Sequence, residues 1–136
     1  MKNLLTFFRE NDKFASHSGI ALLEISEGGA KAVMKIEQYH LNAVGSVHGG
    51  AIFTLADYVF AVASNSHRTV AVAINVSISY LKAANKGSLI AEAKEVALNP
   101  KLASYTVNVT DEQGNLVAIF QGMVYRKKET ISPKTP

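Results

Sequence analysis

The sequence predicts an α+β domain in which one long buried helix lies on the concave face of a curved antiparallel sheet. Residues 51–63 are almost all apolar or small, as in a core helix that is packed on most sides. An alternating hairpin pattern precedes this segment, and a run of alternating strand patterns follows it. The length of 136 residues suits one domain, and no linker or repeat divides it. Separate blocks of helix and strand are typical of an α+β fold.

The segments before the central helix are short. Residues 1–16 have apolar positions broken by charges, which predicts an amphipathic helix and excludes the apolar core of a signal peptide. Residues 20–26 and 30–37 alternate around Glu27-Gly28-Gly29, so we expect a hairpin whose glycines take positive φ. Residues 38–47 are polar and lack a period, which predicts an ordered loop.

Strand patterns fill the chain after the helix. Residues 69–82 and 89–98 are two predicted strands, and residues 102–110 and 116–126 form a hairpin around the turn at 111–115. We therefore assign residues 1–128 to a single domain and 129–136 to a flexible tail. The predicted apolar face of the strand at 69–82 carries Val72, Ile74, Val76, Ile78 and Tyr80. The opposite face carries Ala73, Asn75, Ser77 and Ser79, and it is small and polar, as a pocket wall or a close subunit contact would be.

Composition narrows the function classes. With 48% hydrophobic and 18% charged residues, some apolar surface is expected to be covered by another subunit. The net charge is +3, but Arg126-Lys127-Lys128 is the one basic run, which argues against nucleic-acid binding. There is no cysteine, so disulfides and thiolate catalysis are excluded, and we expect a reducing, cytoplasmic setting. The four histidines share no metal-ligand spacing, and the central helix is too short to span a bilayer, so neither a metal nor a membrane is expected.

A single acid in the central helix needs an explanation. Asp57 is the only Asp or Glu between Gln38 and Ala91. An ionised carboxylate buried without partners costs several kcal/mol, so this one must be hydrogen-bonded to backbone or face a polar cleft. A cleft is possible because small and polar residues recur at spacings of three and four along one stripe of the helix: Gly50, Thr54, Asp57, Ala61 and Ser64.

Gly49 and Gly50 stand where the helix begins. The free amides and partial positive charge of a helix N-terminus can polarise a carbonyl oxygen, and glycine lets a ligand approach that backbone. Together with a carboxylate acting as base or nucleophile, this is the minimum set for acyl-transfer hydrolysis. No G-x-S-x-G motif is present, which argues against a serine hydrolase. Gly50 and Asp57 are separated by roughly 10 Å of helix, so we predict that two antiparallel copies form the site and that the dimer is the catalytic unit.

The run Asn42-x-x-Gly45-x-x-His48-Gly49-Gly50-x-x-x-x-x-x-Asp57 resembles the signature of hotdog-fold acyl-CoA thioesterases of the PaaI-like (phenylacetate-degradation) branch. The resemblance covers residues 14–127. It implies a hotdog fold, dimers assembled into homotetramers, and hydrolysis of an acyl-CoA or aryl-CoA thioester. Coenzyme A is then part of the substrate, and no cofactor is expected.

The resemblance also implies roles for individual residues. Asp57 would be the nucleophile or the general base for water, the Gly49 amide would polarise the thioester carbonyl, and Asn42 would position substrate or water. Asn42 could equally serve only as a turn residue, and His48 would be a structural member of the loop. Six residues are predicted to line the substrate, with the basic side chains meeting the phosphates of coenzyme A: His48, Gly50, Thr54, Ser77, Lys82 and Arg126.

Some positions depart from the family pattern. Ala73 stands where some relatives have a hydroxyl residue, while Ala83 and Ser88 replace a common proline and a common acid near the turn. A hotdog hydratase is not supported, because its His and acid would lie in a different loop arrangement. A non-catalytic CoA-ester-binding hotdog domain is the alternative function, although it could dispense with Asp57. The sequence does not identify the acyl group.

Overall fold

A computed structural model of the chain describes residues 1–132 and contains three helices and six strands. The helices are α1 (Lys2–Asn11), α2 (Lys13–His17) and α3 (Gly49–Asn65), with a 3-10 turn at Gln38–His40. The strands are β1 (Ile20–Ser26), β2 (Gly29–Lys35), β3 (Thr69–Tyr80), β4 (Ser88–Leu98), β5 (Leu102–Thr110) and β6 (Leu116–Thr130). These ranges confirm the predicted central helix and the predicted strands.

All six strands form one antiparallel sheet in the order β1-β2-β4-β5-β6-β3. The sheet carries α3 on one face, which confirms the predicted α+β architecture of a hotdog fold. Among the described strands β3 hydrogen-bonds only to β6, so this 12-residue strand is an edge of the sheet. A long unpaired edge strand offers free backbone groups to a further strand.

The core lies between α3 and the middle of the sheet. Phe60 of α3 is fully buried and contacts the rings of Tyr105 and Phe120 at centroid distances of 5.9 and 5.3 Å. Gly122 of β6 lies directly beneath this ring, and a Cβ at that position would come within 2.6 Å of Phe60. Glycine is therefore needed at this position, because the helix packs too closely on the sheet for a side chain.

The N-terminal segment differs from the single amphipathic helix predicted for residues 1–16. It forms two helices, because Asp12 adopts an extended conformation between them. The carboxylate of Asp12 accepts a hydrogen bond from the N–H of Ala15 at 3.0 Å and so caps α2. Leu4 of α1 is fully buried, which fixes this segment to the domain.

The predicted faces of β3 were wrong in part, because the strand contains a bulge at Ile74. On one side of the bulge Ala73 pairs with the buried Val124, and on the other side Val76 pairs with Gly122. Since paired residues share a face, Ala73 lies on the helix side together with Val76, Ile78 and Tyr80, whereas Val72 lies on the outer face. A bulge reverses the alternation, so a strict period of two could not assign these residues.

The tail predicted from Glu129 is wrong for its first residues. Strand β6 continues through Thr130, and the N–H of Ile131 donates to the carbonyl of Arg68 at 2.7 Å. Residues 133–136 of the predicted tail lie outside the described residues. None of the helices within residues 1–132 is long and apolar enough to cross a bilayer.

Candidate active site

Asn42 organises the loop that leads into α3. Its side-chain oxygen accepts hydrogen bonds from the N–H groups of Val44 and Ser46, both at 3.1 Å. Its backbone N–H donates to the carbonyl of Ser46 at 2.7 Å, and Gly45 takes a φ of 83° within the turn. Asn42 therefore holds a turn, and its predicted role toward substrate or water stays a prediction. Only its side-chain NH₂ makes no hydrogen bond within residues 1–132, so any contact with a substrate or water would use that group.

His48 caps the N-terminus of α3. Its Nδ1 accepts a hydrogen bond from the N–H of Gly50 at 2.9 Å, and its backbone N–H donates to the carbonyl of His40 at 2.7 Å. His48 thus has the structural role expected of it, because the ring replaces a helix partner for one of the first amides. Its contact with the substrate stays a prediction. Gly50 is also predicted to line the substrate. Its N–H already donates to His48, so this group is not free to bind a substrate oxygen.

The N–H of Gly49 is the first amide of α3 and is not used in this capping. No acceptor for the Gly49 N–H lies within the described part of the chain. The carbonyl of His48, in the same peptide unit, accepts from the N–H groups of Ala51 and Ile52 and therefore points into the helix. Since a trans peptide places its N–H opposite its C=O, the Gly49 N–H points outward from the helix end. This donor can bind an oxygen anion or a polarised carbonyl.

Tyr80 packs against the same glycine, and the sequence did not indicate this. Its hydroxyl donates a hydrogen bond to the carbonyl of Gly49 at 3.0 Å. A Cβ at Gly49 would lie 3.3 Å from both the hydroxyl oxygen and Cζ of Tyr80. The two residues are 31 positions apart, and neither the spacing nor the strand pattern links them.

Asp57 lies half-buried on the open side of α3, the side that is partly exposed to solvent. Its carboxylate forms no hydrogen bond or ion pair with residues 1–132. Burial raises the pKa of Asp57 above its ordinary value, and the negative charge of Asp12 raises it further. A carboxyl group with a raised pKa and no partner is unusual in a purely structural position, and it is suited to accept a proton or attack a carbonyl.

The predicted polar stripe of α3 is present except at its end. Gly50 is exposed, while Thr54, Asp57 and Ala61 are half-buried along the same side of the helix. Thr54 uses its hydroxyl to donate to the carbonyl of Gly50 at 2.7 Å. Ser64 does not belong to the stripe, because it is 1% exposed and its hydroxyl bonds to the carbonyl of Ala61.

Gly49 and Asp57 do not meet within one chain. They are eight residues apart on the same helix, which corresponds to about 12 Å along its axis. A single acyl carbon cannot contact both groups at that separation. Within one chain the two groups are therefore separate, one at the start of α3 and one in its middle.

Three further residues predicted to line the substrate lie apart from these groups. Ser77 faces outward from the sheet with its pairing partner Gln121, on the side away from α3. Lys82 forms an exposed ion pair with Asp111 at 3.2 Å. Arg126 donates to the carbonyl of Asn99 at 2.9 Å, and its Nε is buried without a partner in the described residues.

Lys82 and Arg126 lie near opposite ends of β6. The N–H of Lys82 donates to the carbonyl of Val117, and Arg126 is nine residues further along the strand. This separation is about 30 Å at the rise of an extended chain. Within one chain the two side chains therefore cannot contact the same phosphate group, and their binding of coenzyme A stays a prediction.

A second polar cluster lies beyond the C-terminal end of α3. Glu95 accepts hydrogen bonds at one carboxylate oxygen from His67 at 2.6 Å and from Tyr105 at 2.7 Å. Burial raises the pKa of Glu95, but these hydrogen bonds and the nearby charges of His67 and Arg126 outweigh burial and lower it. The three residues come from separate parts of the sequence, which gave no sign of the cluster.

Within residues 1–132 no group of three His, Asp or Glu side chains could hold a metal ion.

The comparison with known proteins identifies the family. The model of the thioesterase superfamily matches residues 44–118, a range that contains the Gly49 amide and Asp57. The chain belongs to the thioesterase superfamily. A protein of Archaeoglobus fulgidus is 47% identical over 128 residues, which cover 93% of this chain and 83% of the relative. Acyl-coenzyme A thioesterase PaaI of Escherichia coli is 34% identical, with 90% of this chain and 89% of that protein covered.

The fold of this thioesterase agrees with that relationship. The solved structure of the E. coli PaaI protein from the phenylacetic acid degradation operon superposes with a TM-score of 0.91 at 33% identity. The superposition covers 96% of this chain and 95% of that structure. The chain is therefore a PaaI-like hotdog thioesterase, and its enzymatic class is thioester hydrolase.

Proposed function

We propose that this thioesterase hydrolyses an acyl-CoA or aryl-CoA thioester to the free acid and coenzyme A. The observation that carries the proposal is the Asp57 carboxylate, which is half-buried, faces the open side of α3 and has no partner within residues 1–132. The coenzyme A ester is suggested by the name of the E. coli relative, an acyl-coenzyme A thioesterase. The resemblance to the PaaI-like branch adds a phenylacetyl-type acid as one candidate for the acyl group.

The Gly49 amide is the proposed donor to the thioester carbonyl oxygen. In either chemical route this oxygen gains negative charge as the carbonyl carbon becomes tetrahedral. A preformed N–H at the positive end of a helix stabilises that charge more than it stabilises the neutral ester. The outward direction of the Gly49 N–H and its lack of an internal acceptor support this assignment.

Asp57 has two possible roles. As a nucleophile, its carboxylate oxygen bonds to the carbonyl carbon, the C–S bond breaks, and coenzyme A leaves as a thiolate that takes a proton from solvent. Water then cleaves the mixed anhydride and restores the carboxylate. As a general base, Asp57 takes a proton from water while the water oxygen bonds to the carbon, and it passes that proton to the departing thiolate. The raised pKa of Asp57 supports the second role by bringing the group closer to the working range of a base.

The complete site is proposed to form between two chains. An antiparallel pair of α3 helices places Gly49 of one subunit opposite Asp57 of the other and creates two equivalent sites. The exposed edge of β3 supports this arrangement, because Val72 and Ile74 are 39% and 54% exposed there beside unpaired backbone groups. A further pairing of dimers gives the proposed homotetramer.

Positively charged side chains are the proposed binding groups for the nucleotide part of coenzyme A. Lys82 is the better candidate in a single chain, because it lies just beyond Tyr80, which contacts Gly49. Its exposed ion pair with Asp111 contributes little free energy and can be exchanged for a phosphate. Arg126 would have to come from another subunit, as would Ser77 if it touches substrate.

The function is tested by following thiol release from acetyl-CoA, hexanoyl-CoA, phenylacetyl-CoA and a ring-hydroxylated phenylacetyl-CoA with a thiol reagent. Wild-type protein is expected to hydrolyse at least one ester, and Asp57→Asn and Asp57→Ala are expected to lose that activity. Glu24→Gln, which neutralises an exposed acid on β1, serves as the control and should match wild type. Full hydrolysis by both Asp57 variants would refute the catalytic assignment. Binding of the esters by wild type without hydrolysis would favour the non-catalytic alternative.

The two roles of Asp57 are separated by rapid acid quenching during turnover. A nucleophilic route leaves an acyl group on the protein, which intact-mass spectrometry detects as a mass increase absent from Asp57→Asn. A general-base route leaves the protein mass unchanged.

A further inference from the structure

The peptide that joins Gly49 and Gly50 is held at both of its polar ends by side chains. Its C=O accepts a hydrogen bond from the hydroxyl of Tyr80 at 3.0 Å. Its N–H donates to Nδ1 of His48 at 2.9 Å. One partner belongs to the loop before α3, whereas Tyr80 is the last residue of β3. The first turn of α3 is thus fastened to the sheet by Tyr80.

The orientation of this peptide determines where the neighbouring Gly49 N–H points. Glycine has more backbone freedom than any other residue, so two successive glycines at a helix end can rotate their peptide planes easily. The hydrogen bond from Tyr80 opposes that rotation on the C=O side. The ring also occupies the space beside the Gly49 Cα, where a Cβ would approach Tyr80 to 3.3 Å.

We propose that Tyr80 is a positioning residue for the reaction: it holds Gly49 so that the free amide is directed at the thioester carbonyl oxygen. This role rests on the proposed function of the Gly49 amide. The Tyr80 hydroxyl donates a hydrogen bond to the Gly49 carbonyl. Tyr80 therefore acts through the backbone and does not bind the substrate oxygen. Removing its hydroxyl should therefore affect the chemical step more than substrate binding.

The test compares Tyr80→Phe with Tyr125→Phe. Each variant removes one hydroxyl from an exposed tyrosine, but Tyr125 lies on the outer face of β6 and pairs with Leu102 and Val72, away from Gly49. For the ester that wild type hydrolyses fastest, Tyr80→Phe is expected to lower kcat about fivefold, the rate equivalent of one net hydrogen bond. KM should stay within about twofold, because ground-state binding is not the affected step. Tyr125→Phe should match wild type in both constants.

A second measurement does not depend on activity. The chain has nine glycines, so protein labelled with 15N-glycine gives a small set of amide resonances. Tyr80→Phe is expected to shift the Gly49 and Gly50 resonances and to speed hydrogen exchange at Gly50. The resonance of Gly28, whose N–H donates to Ser66 beyond the other end of α3, should stay in place. Tyr125→Phe should leave Gly49 and Gly50 unchanged.

The outcomes separate the two proposals. Unchanged Gly49 and Gly50 resonances in Tyr80→Phe would overturn the positioning role whatever the kinetics. An unchanged kcat, or a raised KM with an unchanged kcat, would also overturn it, although wild-type hydrolysis would then still support the proposed function. If wild type hydrolyses none of the esters, the proposed function fails and a catalytic role for Tyr80 fails with it, even if the glycine resonances shift.

Discussion

Gly49 and Asp57 lie eight residues apart on α3, so about 12 Å of helix separates a backbone N–H from a carboxylate. Within the described residues, the Gly49 N–H has no acceptor and the Asp57 carboxylate has no donor. Neither can complete a site with the other in the same chain. The assignment of function depends on a second copy that brings the two together.

The first prediction concerns the Gly49 amide. Gly49→Pro removes this N–H, and proline suits the first position of a helix after an extended residue such as His48, whose ψ is 135°. Gly49→Ala adds a similar steric contact with Tyr80 but keeps the N–H. We expect Gly49→Pro to have a kcat about 10²- to 10³-fold below that of Gly49→Ala, measured as thiol release. Equal rates for the two variants would exclude the amide as the carbonyl donor.

The second prediction links activity and stability at Asp57. Its pKa is raised in the folded chain, so the charged form is disfavoured there, and the resulting destabilisation grows as pH rises from 3.8 through the folded value. Asp57→Asn should lower kcat by about 10²- to 10⁴-fold and raise Tm by a few degrees at pH 7. The gain in Tm should disappear as pH falls below 3.8. A lower Tm for Asp57→Asn at pH 7 would instead indicate a structural role.

The third prediction concerns the effect of Asp12 on Asp57. Asp12→Asn removes a negative charge that raises the pKa of Asp57, while asparagine still caps α2. The acidic limb of the pH profile of kcat/KM should therefore move to lower pH. Steady-state rates from pH 4 to 8 check this, with Glu10→Gln on α1 as a control that leaves the profile in place. A profile unaltered by Asp12→Asn would show that the charge of Asp12 does not act on Asp57.

Much of this fold was predictable, because local signals mark its elements. Glycine and polar turns separate the strands, and the apolar run at 51–63 identified α3. The bulge at Ile74 was not predictable, since an alternating pattern does not reveal one inserted residue. The isolation of Asp57 and the position of Gly49 at the helix start were enough to propose them as site residues. The contact of Tyr80 with Gly49 depends on how β3 packs beside the start of α3, which no local pattern encodes.

The fourth prediction concerns the cluster around Glu95. The pKa of Glu95 is lowered from 4.5, so its carboxylate stabilises the fold above that value, and the stabilisation is lost as pH falls through the folded pKa. Glu95→Gln should lower Tm by a few degrees at pH 7 and have no effect below the folded pKa. Glu92→Gln on the same strand is the control, because its pair with Lys94 is exposed and contributes little. Thermal melts between pH 7 and 3 measure both variants. An equal effect of Glu95→Gln at all pH values would exclude the charge as its cause.

The most direct measurement mixes two inactive proteins, Gly49→Pro and Asp57→Asn. If the site is shared, each mixed dimer has one pocket with both lesions and one pocket with neither. Random reassociation of equal amounts should then restore about a quarter of wild-type activity, since about half of the dimers are mixed and each has one intact site. Native mass spectrometry measures the fraction of mixed dimers in the same sample. Restored hydrolysis in proportion to that fraction is the predicted result, and mixed dimers without activity would contradict the shared site.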